Sequence, residues 1–150
     1  MKTCLSGLLL ALVLGIGTEA DAGVYFITEG GSVDVQGHAV VFVVGMGTPS
    51  NESYLEIRGS DGKDNISVIV VGGTNAFTSV FGGAGDDSLS FCFLGGDSTG
   101  KATGQNGKDA TFFSFFLSAA RGEAYTDSDD VGPEVTKFLS PNAKVAEYAQ

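Results

Sequence analysis

Three short segments of this 150-residue chain place glycine and aspartate at the same offsets. They are Gly59-Ser60-Asp61-Gly62-Lys63-Asp64, Gly82-Gly83-Ala84-Gly85-Asp86-Asp87 and Gly104-Gln105-Asn106-Gly107-Lys108-Asp109. Each reads G-x-x-G-x-D. Glycine tolerates positive φ, so such a loop can turn several backbone carbonyls toward one point. The final aspartate adds charge where the chain enters the next apolar run. An all-oxygen donor set of this kind suits calcium, a hard cation that takes about six to eight oxygens at about 2.3–2.6 Å.

The loops need a frame that brings them together. They begin at residues 59, 82 and 104, a period of 23 and then 22 residues. Two residues after each closing aspartate stand Ile66, Leu89 and Thr111. A second turn, Gly72-Gly73 and Gly95-Gly96, recurs at a common offset in the first two units, and Leu117-Ser118 takes its place in the third. Between the turns lie short runs of Val, Ile, Phe and Ser, a strand composition. Strands are expected near 24–28, 33–35, 39–44, 53–57, 66–71, 77–81, 88–94, 111–117 and 134–139. A weak helical period appears only at 143–149. Two strands and two turns in about 22–23 residues match one coil of an all-β, parallel β-solenoid, whose coils bury their apolar faces only by stacking. An antiparallel β-sandwich with glycine-rich hairpins is the alternative. In a solenoid, coils about 4.8 Å apart would stack Asp64, Asp87 and Asp109 into a column of like charges. Such a column calls for a cation, or else for raised carboxyl pKa values. Three loops leave two gaps, so two calcium ions are expected.

The stretch from Gly82 to Ser90, which contains the middle loop, fits G-G-x-G-x-D-x-U-x at every defined position. This resembles the calcium-binding nonapeptide of the RTX, or haemolysin-type, repeat family. The segments from Gly59 and Gly104 resemble it with Ser60 and Gln105 at the second glycine. The resemblance implies a β-roll in which Asp64, Asp87 and Asp109 are side-chain ligands. It implies backbone ligands at Gly59, Asp61 and Gly62, at Gly82, Ala84 and Gly85, and at Gly104, Asn106 and Gly107. Family repeats succeed one another every nine residues and bind ions on both edges. Here the opposite turns lack the aspartate, so ions are expected on one edge only.

Composition narrows the function classes. The chain carries 18 acidic and 8 basic residues, a net charge of -10, which disfavours a nucleic-acid partner. Lys2, the apolar run from Leu5 to Ile16 and Ala20-Asp21-Ala22 read as a signal peptide cleaved after Ala22, and so as a secreted, extracellular or periplasmic protein. The run is too short for a membrane span, leaving no transmembrane segment in the mature chain. The expected organisation is a signal peptide at 1–22, a solenoid at 23–139 and a tail at 140–150. The mature chain keeps one cysteine, Cys92, expected to be a buried small hydrophobe, so a metal would serve as the staple a disulfide cannot supply. His38 stands alone, and no nucleophile–base or zinc-spaced cluster is present, so an enzyme is not expected. The segment from Asp127 to Gly132 opens like an EF-hand loop, but its twelfth position is Phe138, and it reads as an acidic surface loop. The sequence thus points to an exported calcium-binding structural or interaction protein, with cell-surface or matrix polysaccharide or protein as possible partners. Two alternatives are a metal-independent adhesive or matrix solenoid and a small calcium-assisted polysaccharide-modifying protein.

Overall fold

The computed structural model of the chain describes residues 22–126 and 129–149. The proposed signal peptide, apart from Ala22, lies outside the described residues. Among the described residues, twelve strands form two six-stranded sheets. Sheet one holds β1 (Ala22–Ile27), β3 (His38–Val44), β5 (Asn65–Val71), β7 (Ser88–Leu94), β9 (Ala110–Phe116) and β11 (Val131–Phe138), in that order. Sheet two holds β2 (Gly31–Asp34), β4 (Ser53–Arg58), β6 (Ala76–Ala84), β8 (Thr99–Asn106), β10 (Arg121–Thr126) and β12 (Lys144–Ala149). The chain alternates between the sheets, and each pairing is parallel and joins strands two apart in the chain. The fold is a parallel β-solenoid. Consecutive antiparallel pairing, which a sandwich of hairpins would require, is not what joins these strands.

Alternation of side chains makes the strands. In β5, Ile66, Val68 and Val70 point inward and are buried, while Ser67, Ile69 and Val71 point outward. The register carries this face along the solenoid: Ile66 pairs with Leu89 and Leu89 with Thr111. A slip of one residue would exchange core and surface on the whole strand.

The core changes character along the axis. In the first coils both sheets contribute aliphatic residues, with Val41, Val43 and Val68 facing Leu55, Ile57 and Val80. Further on, sheet one supplies Phe91, Phe93, Phe113 and Phe115, all at most 1% exposed. Phe91 stacks on Phe113 at 5.6 Å and Phe93 on Phe115 at 5.1 Å. Each such ring contributes about 1.5–3 kcal/mol on burial. Sheet two answers with Gly100, Ala102, Gly122 and Ala124. A Cβ added at Gly100 would meet the Phe93 ring at 2.7 Å, and one at Gly122 the Phe113 ring at 2.6 Å. Large residues on one sheet thus require small ones opposite.

This explains the strands that the sequence pattern does not reveal. β8 and β10 fall outside the expected set, because their inward positions hold glycine and alanine rather than Val or Ile. The segment at 143–149 is the strand β12 and not a helical tail, so the solenoid runs past residue 139 to Ala149. Coil length is also less uniform than the repeat implies. Ala22 pairs with His38, His38 with Asn65, Asn65 with Ser88, Ser88 with Ala110 and Ala110 with Val131, giving coils of 16, 27, 23, 22 and 21 residues. Cys92 points outward from β7 and is only partly buried, since the inward places beside it belong to Phe91 and Phe93.

At the turn after each sheet-one strand from β3 onward, the first residue adopts a left-handed conformation. Gly45, Gly72 and Gly95 do so at φ 60°, 66° and 74°. Leu117 and Leu139 occupy the equivalent places at 51° and 49°. Leu117 N–H donates to the Phe138 carbonyl just as Gly95 N–H donates to that of Phe116. A left-handed conformation costs a residue with a Cβ about 1–2 kcal/mol.

Candidate cation site along one solenoid edge

The three glycine–aspartate loops stack on one edge of the solenoid, where sheet two returns to sheet one. Asp64, Asp87 and Asp109 immediately precede β5, β7 and β9, and all are at most 2% exposed. They form the expected column, linked by hydrogen bonds of one sense. Asp64 N–H donates to Asp87 Oδ1 at 2.7 Å, and Asp87 N–H donates to Asp109 Oδ1 at 2.8 Å. The column is longer than the three motifs. Gly37 N–H donates to Asp64 Oδ1 before it, and Asp109 N–H donates to Asp130 Oδ1 at 2.9 Å after it. Asp130 is a rung that the glycine–aspartate motif does not mark. A signal is present all the same: it lies 21 residues after Asp109 and one before a strand, but its loop lacks the glycines.

The second carboxylate oxygens differ from rung to rung. Asp64 Oδ2 accepts from Ser60 N–H at 2.6 Å and from Ser60 Oγ at 2.9 Å. Asp87 Oδ2 is buried and has no hydrogen-bond partner. Burial pushes the Asp87 carboxyl up to about 6. The Asp64 N–H pulls it back, while the carboxylates of Asp109, Asp64 and Asp86 push it further up.

The first glycine of each motif makes room for its own aspartate. A Cβ on Gly59, Gly82 or Gly104 would collide with the carboxylate of Asp64, Asp87 or Asp109 respectively. The Gly104 carbonyl of the next coil also lies close there, 2.9 Å from where a Gly82 Cβ would stand. A carboxylate oxygen and a carbonyl oxygen from adjacent coils therefore converge there. The fourth-position glycines of the second and third motifs serve stacking instead. Gly85 and Gly107 have φ of 121° and 129°, and a Cβ on Gly85 would meet the backbone of Gly62 at 2.9 Å.

The expected backbone ligands divide into two groups. Gly59, Gly82 and Gly104 lie directly beside the carboxylates. Asp61, Gly62, Ala84, Gly85, Asn106 and Gly107 form the outer lip of the loops. There the sheet-two ladder continues, with Ala84 paired to Asn106 and the Asn106 carbonyl accepting Gly85 N–H at 2.7 Å. Asp86, on the same lip, accepts Lys108 N–H at 3.0 Å. Among the described residues no three His, Cys, Asp or Glu side chains converge on one point. A column places carboxylates pairwise, one coil apart, so each gap offers two of them together with backbone oxygens. This donor set is hard and fits a calcium ion better than a soft metal.

The opposite edge carries a neutral column. Ser118 N–H donates to Ser140 Oγ at 2.9 Å, and the hydroxyls of Ser98 and Ser118 donate to the carbonyls of Gly72 and Gly96. The buried rungs of that edge are hydroxyls and bring no charge to an ion. Among the described residues no helix is long and apolar enough to cross a membrane. Comparison with family models, with curated proteins and with solved structures returned no match to the chain.

Proposed function

We propose that this chain is an exported calcium-binding structural or interaction module, with ions held between stacked glycine–aspartate loops as in the RTX repeats it resembles. One observation carries the reading. Asp87 Oδ2 is buried and unbonded inside a column of carboxylates, close to the backbone of Gly82 and the Gly104 carbonyl of the next coil. A buried carboxylate oxygen without a partner, set among like charges, destabilises the ionised form, and a divalent cation turns that repulsion into coordination. Asp64, Asp87 and Asp109 would hold the ions with the carbonyls of Gly59, Gly82 and Gly104, and Asp130 would extend the row. Bound calcium would supply rigidity, tying each loop to the next, and not a reactive centre.

Calorimetric titration with calcium, alongside melting curves in calcium and in EGTA, tests this. Binding with a dissociation constant in the range of extracellular modules, about 10⁻⁴–10⁻³ M, and a higher melting temperature in calcium are expected. Equal melting temperatures and no heat of binding would overturn it.

A second reading, a metal-independent solenoid for adhesion, is favoured by a different observation. Oδ1 of every aspartate in the column already accepts a backbone N–H of the preceding coil. Under that reading the aspartates are hydrogen-bonding rungs, and EGTA leaves fold and stability unchanged.

A further inference from the structure

Sheet two ends in a cleft that none of the column aspartates lines. It lies where β4, β6 and β8 run into the loops. Its volume of about 370 Å³ falls in the size range of small-molecule sites. Glu56 and Arg58 line it from β4, Ser60 and Asp61 from the first loop, Phe81 from β6 and Gln105 from β8. Successive coils thus build one hollow that no single coil could form.

Two of these residues are not accounted for by the fold. Gln105 has a φ of 98°, a conformation that L side chains disfavour. Its register partner in the preceding coil is Gly83, at 104°, so the backbone here suits glycine. Gln105 nevertheless carries an exposed side chain into the wall of the cleft. Strain of this kind at a cleft points to a functional constraint. Phe81 is the second. Other outward rings of sheet two pair off, Tyr54 on Phe77 at 5.0 Å and Tyr125 on Tyr148 at 4.9 Å. Among the described residues Phe81 stacks on no ring, and its register neighbours are Arg58 and Thr103. Its ring lines the cleft instead.

The walls select the ligand by their chemistry. Arg58 Nε donates to Glu56 Oε1 at 2.7 Å. This bond ties the two side chains together and leaves the terminal guanidinium groups to donate and the second carboxylate oxygen to accept. The Gln105 amide can do both, and Asp61 accepts. A matching ligand offers groups that donate and accept at once, together with an apolar surface for Phe81. A sugar ring does so through its hydroxyls and its C–H face. Anionic ligands are disfavoured, because two carboxylates stand here against one guanidinium and the chain carries a net charge of -10. A wholly apolar ligand would desolvate the charged walls without repaying them.

We propose that this cleft binds a neutral sugar unit of a cell-surface or matrix polysaccharide. The assignment rests on the interaction role proposed above and gives that role a ligand and a place.

Saturation-transfer-difference NMR and calorimetric titration of the purified chain test this. The probes are maltohexaose, cellohexaose, mannohexaose and chitohexaose, with hexagalacturonate as the anionic comparison, each in calcium and in EGTA. Binding of at least one neutral oligosaccharide is expected, with the strongest transfer at ring C–H protons. Phe81→Ala should weaken it by about tenfold, the loss of one stacked ring. Gln105→Gly should weaken it by about as much without lowering the melting temperature, since it relieves the backbone. Leu94→Ala, on the outer face of sheet one, should leave affinity unchanged. Absence of transfer from every neutral probe would overturn the proposal. So would full affinity in both Phe81→Ala and Gln105→Gly, or tighter binding of hexagalacturonate. The calcium reading is judged apart, by melting curves: a chain that ignores EGTA yet binds sugar at Phe81 and Gln105 supports the cleft, and one that binds calcium but no sugar overturns the cleft alone.

Discussion

Replacing Asp87 by asparagine separates the two things its carboxylate does. Oδ1 accepts Asp64 N–H at 2.7 Å, and the amide oxygen of asparagine can keep that bond. Oδ2 is buried without a partner, and there the substitution exchanges a charged acceptor for a neutral amide donor. The Asp87 pKa rises from 3.8 to about 6 on folding. At about 1.4 kcal/mol per unit, ionised Asp87 costs the calcium-free fold at most about 3 kcal/mol at neutral pH. Solvent screening at the solenoid edge reduces this to about 1–2 kcal/mol. Asp87→Asn is therefore expected to raise the melting temperature in EGTA by about 3–8 °C. Calcium should act in the opposite sense. At about 10 mM, with the affinity given above, it stabilises the wild type by about 1.4–2.7 kcal/mol, and the asparagine variant should lose most of that gain. Melting curves of both proteins in EGTA and in calcium, monitored by circular dichroism, give all four numbers. A lower melting temperature for the variant in EGTA would refute the charge argument. An equal calcium gain in both proteins would refute the assignment of Asp87 as a ligand.

The same geometry sets the outcome of other perturbations. Because the folded-state pKa of Asp87 lies above its unfolded value, the native state holds the extra proton, and stability in EGTA should fall as pH rises from about 4 through 6. Melting temperatures from about pH 4.5 to 7.5 check this, and calcium should flatten the upper end. Asp130→Ala should cost about 1–3 kcal/mol in denaturant unfolding, because Asp109 N–H loses its acceptor, whereas Asp130→Asn should cost much less. Gly82→Ala, which drives a Cβ into the Asp87 carboxylate, should destabilise by about 1–3 kcal/mol in the same assay. Gly100→Leu should cost at least as much through Phe91 and Phe93, and near-ultraviolet circular dichroism should report their displacement.

The middle of the solenoid is readable from sequence because two independent signals coincide there. Ile66, Val68 and Val70 alternate with outward residues, and a glycine–aspartate loop precedes them. The strands β8 and β10 carry no such signal. Their inward faces, Gly100 with Ala102 and Gly122 with Ala124, make sense only once the phenylalanines opposite are known, and pairing across sheets is invisible to a local pattern. By type alone, the glycines of the motif suggest a source of free carbonyls. Gly59, Gly82 and Gly104 are also the hollows in which the carboxylates rest, a role that requires knowing where the side chain of residue i+5 points. Asp130 escapes the pattern because its loop shares the aspartate of the repeat but none of its glycines.

The one-way sense of the aspartate bonds has a consequence for how the molecule grows. Every N–H that bonds a column Oδ1 belongs to an earlier coil than the carboxylate that receives it, from Gly37 through to Asp109. A chain emerging amino end first therefore completes each coil with one amide left waiting for the next. Assembly is vectorial, each added coil sealing its predecessor, and Asp130 acts as the terminal seal. Loss of the first coil would vacate only one of the three bonds that Asp64 accepts, since Ser60 supplies the other two. Loss of the last would strand a buried amide, so the solenoid should tolerate trimming from its front far better than from its back.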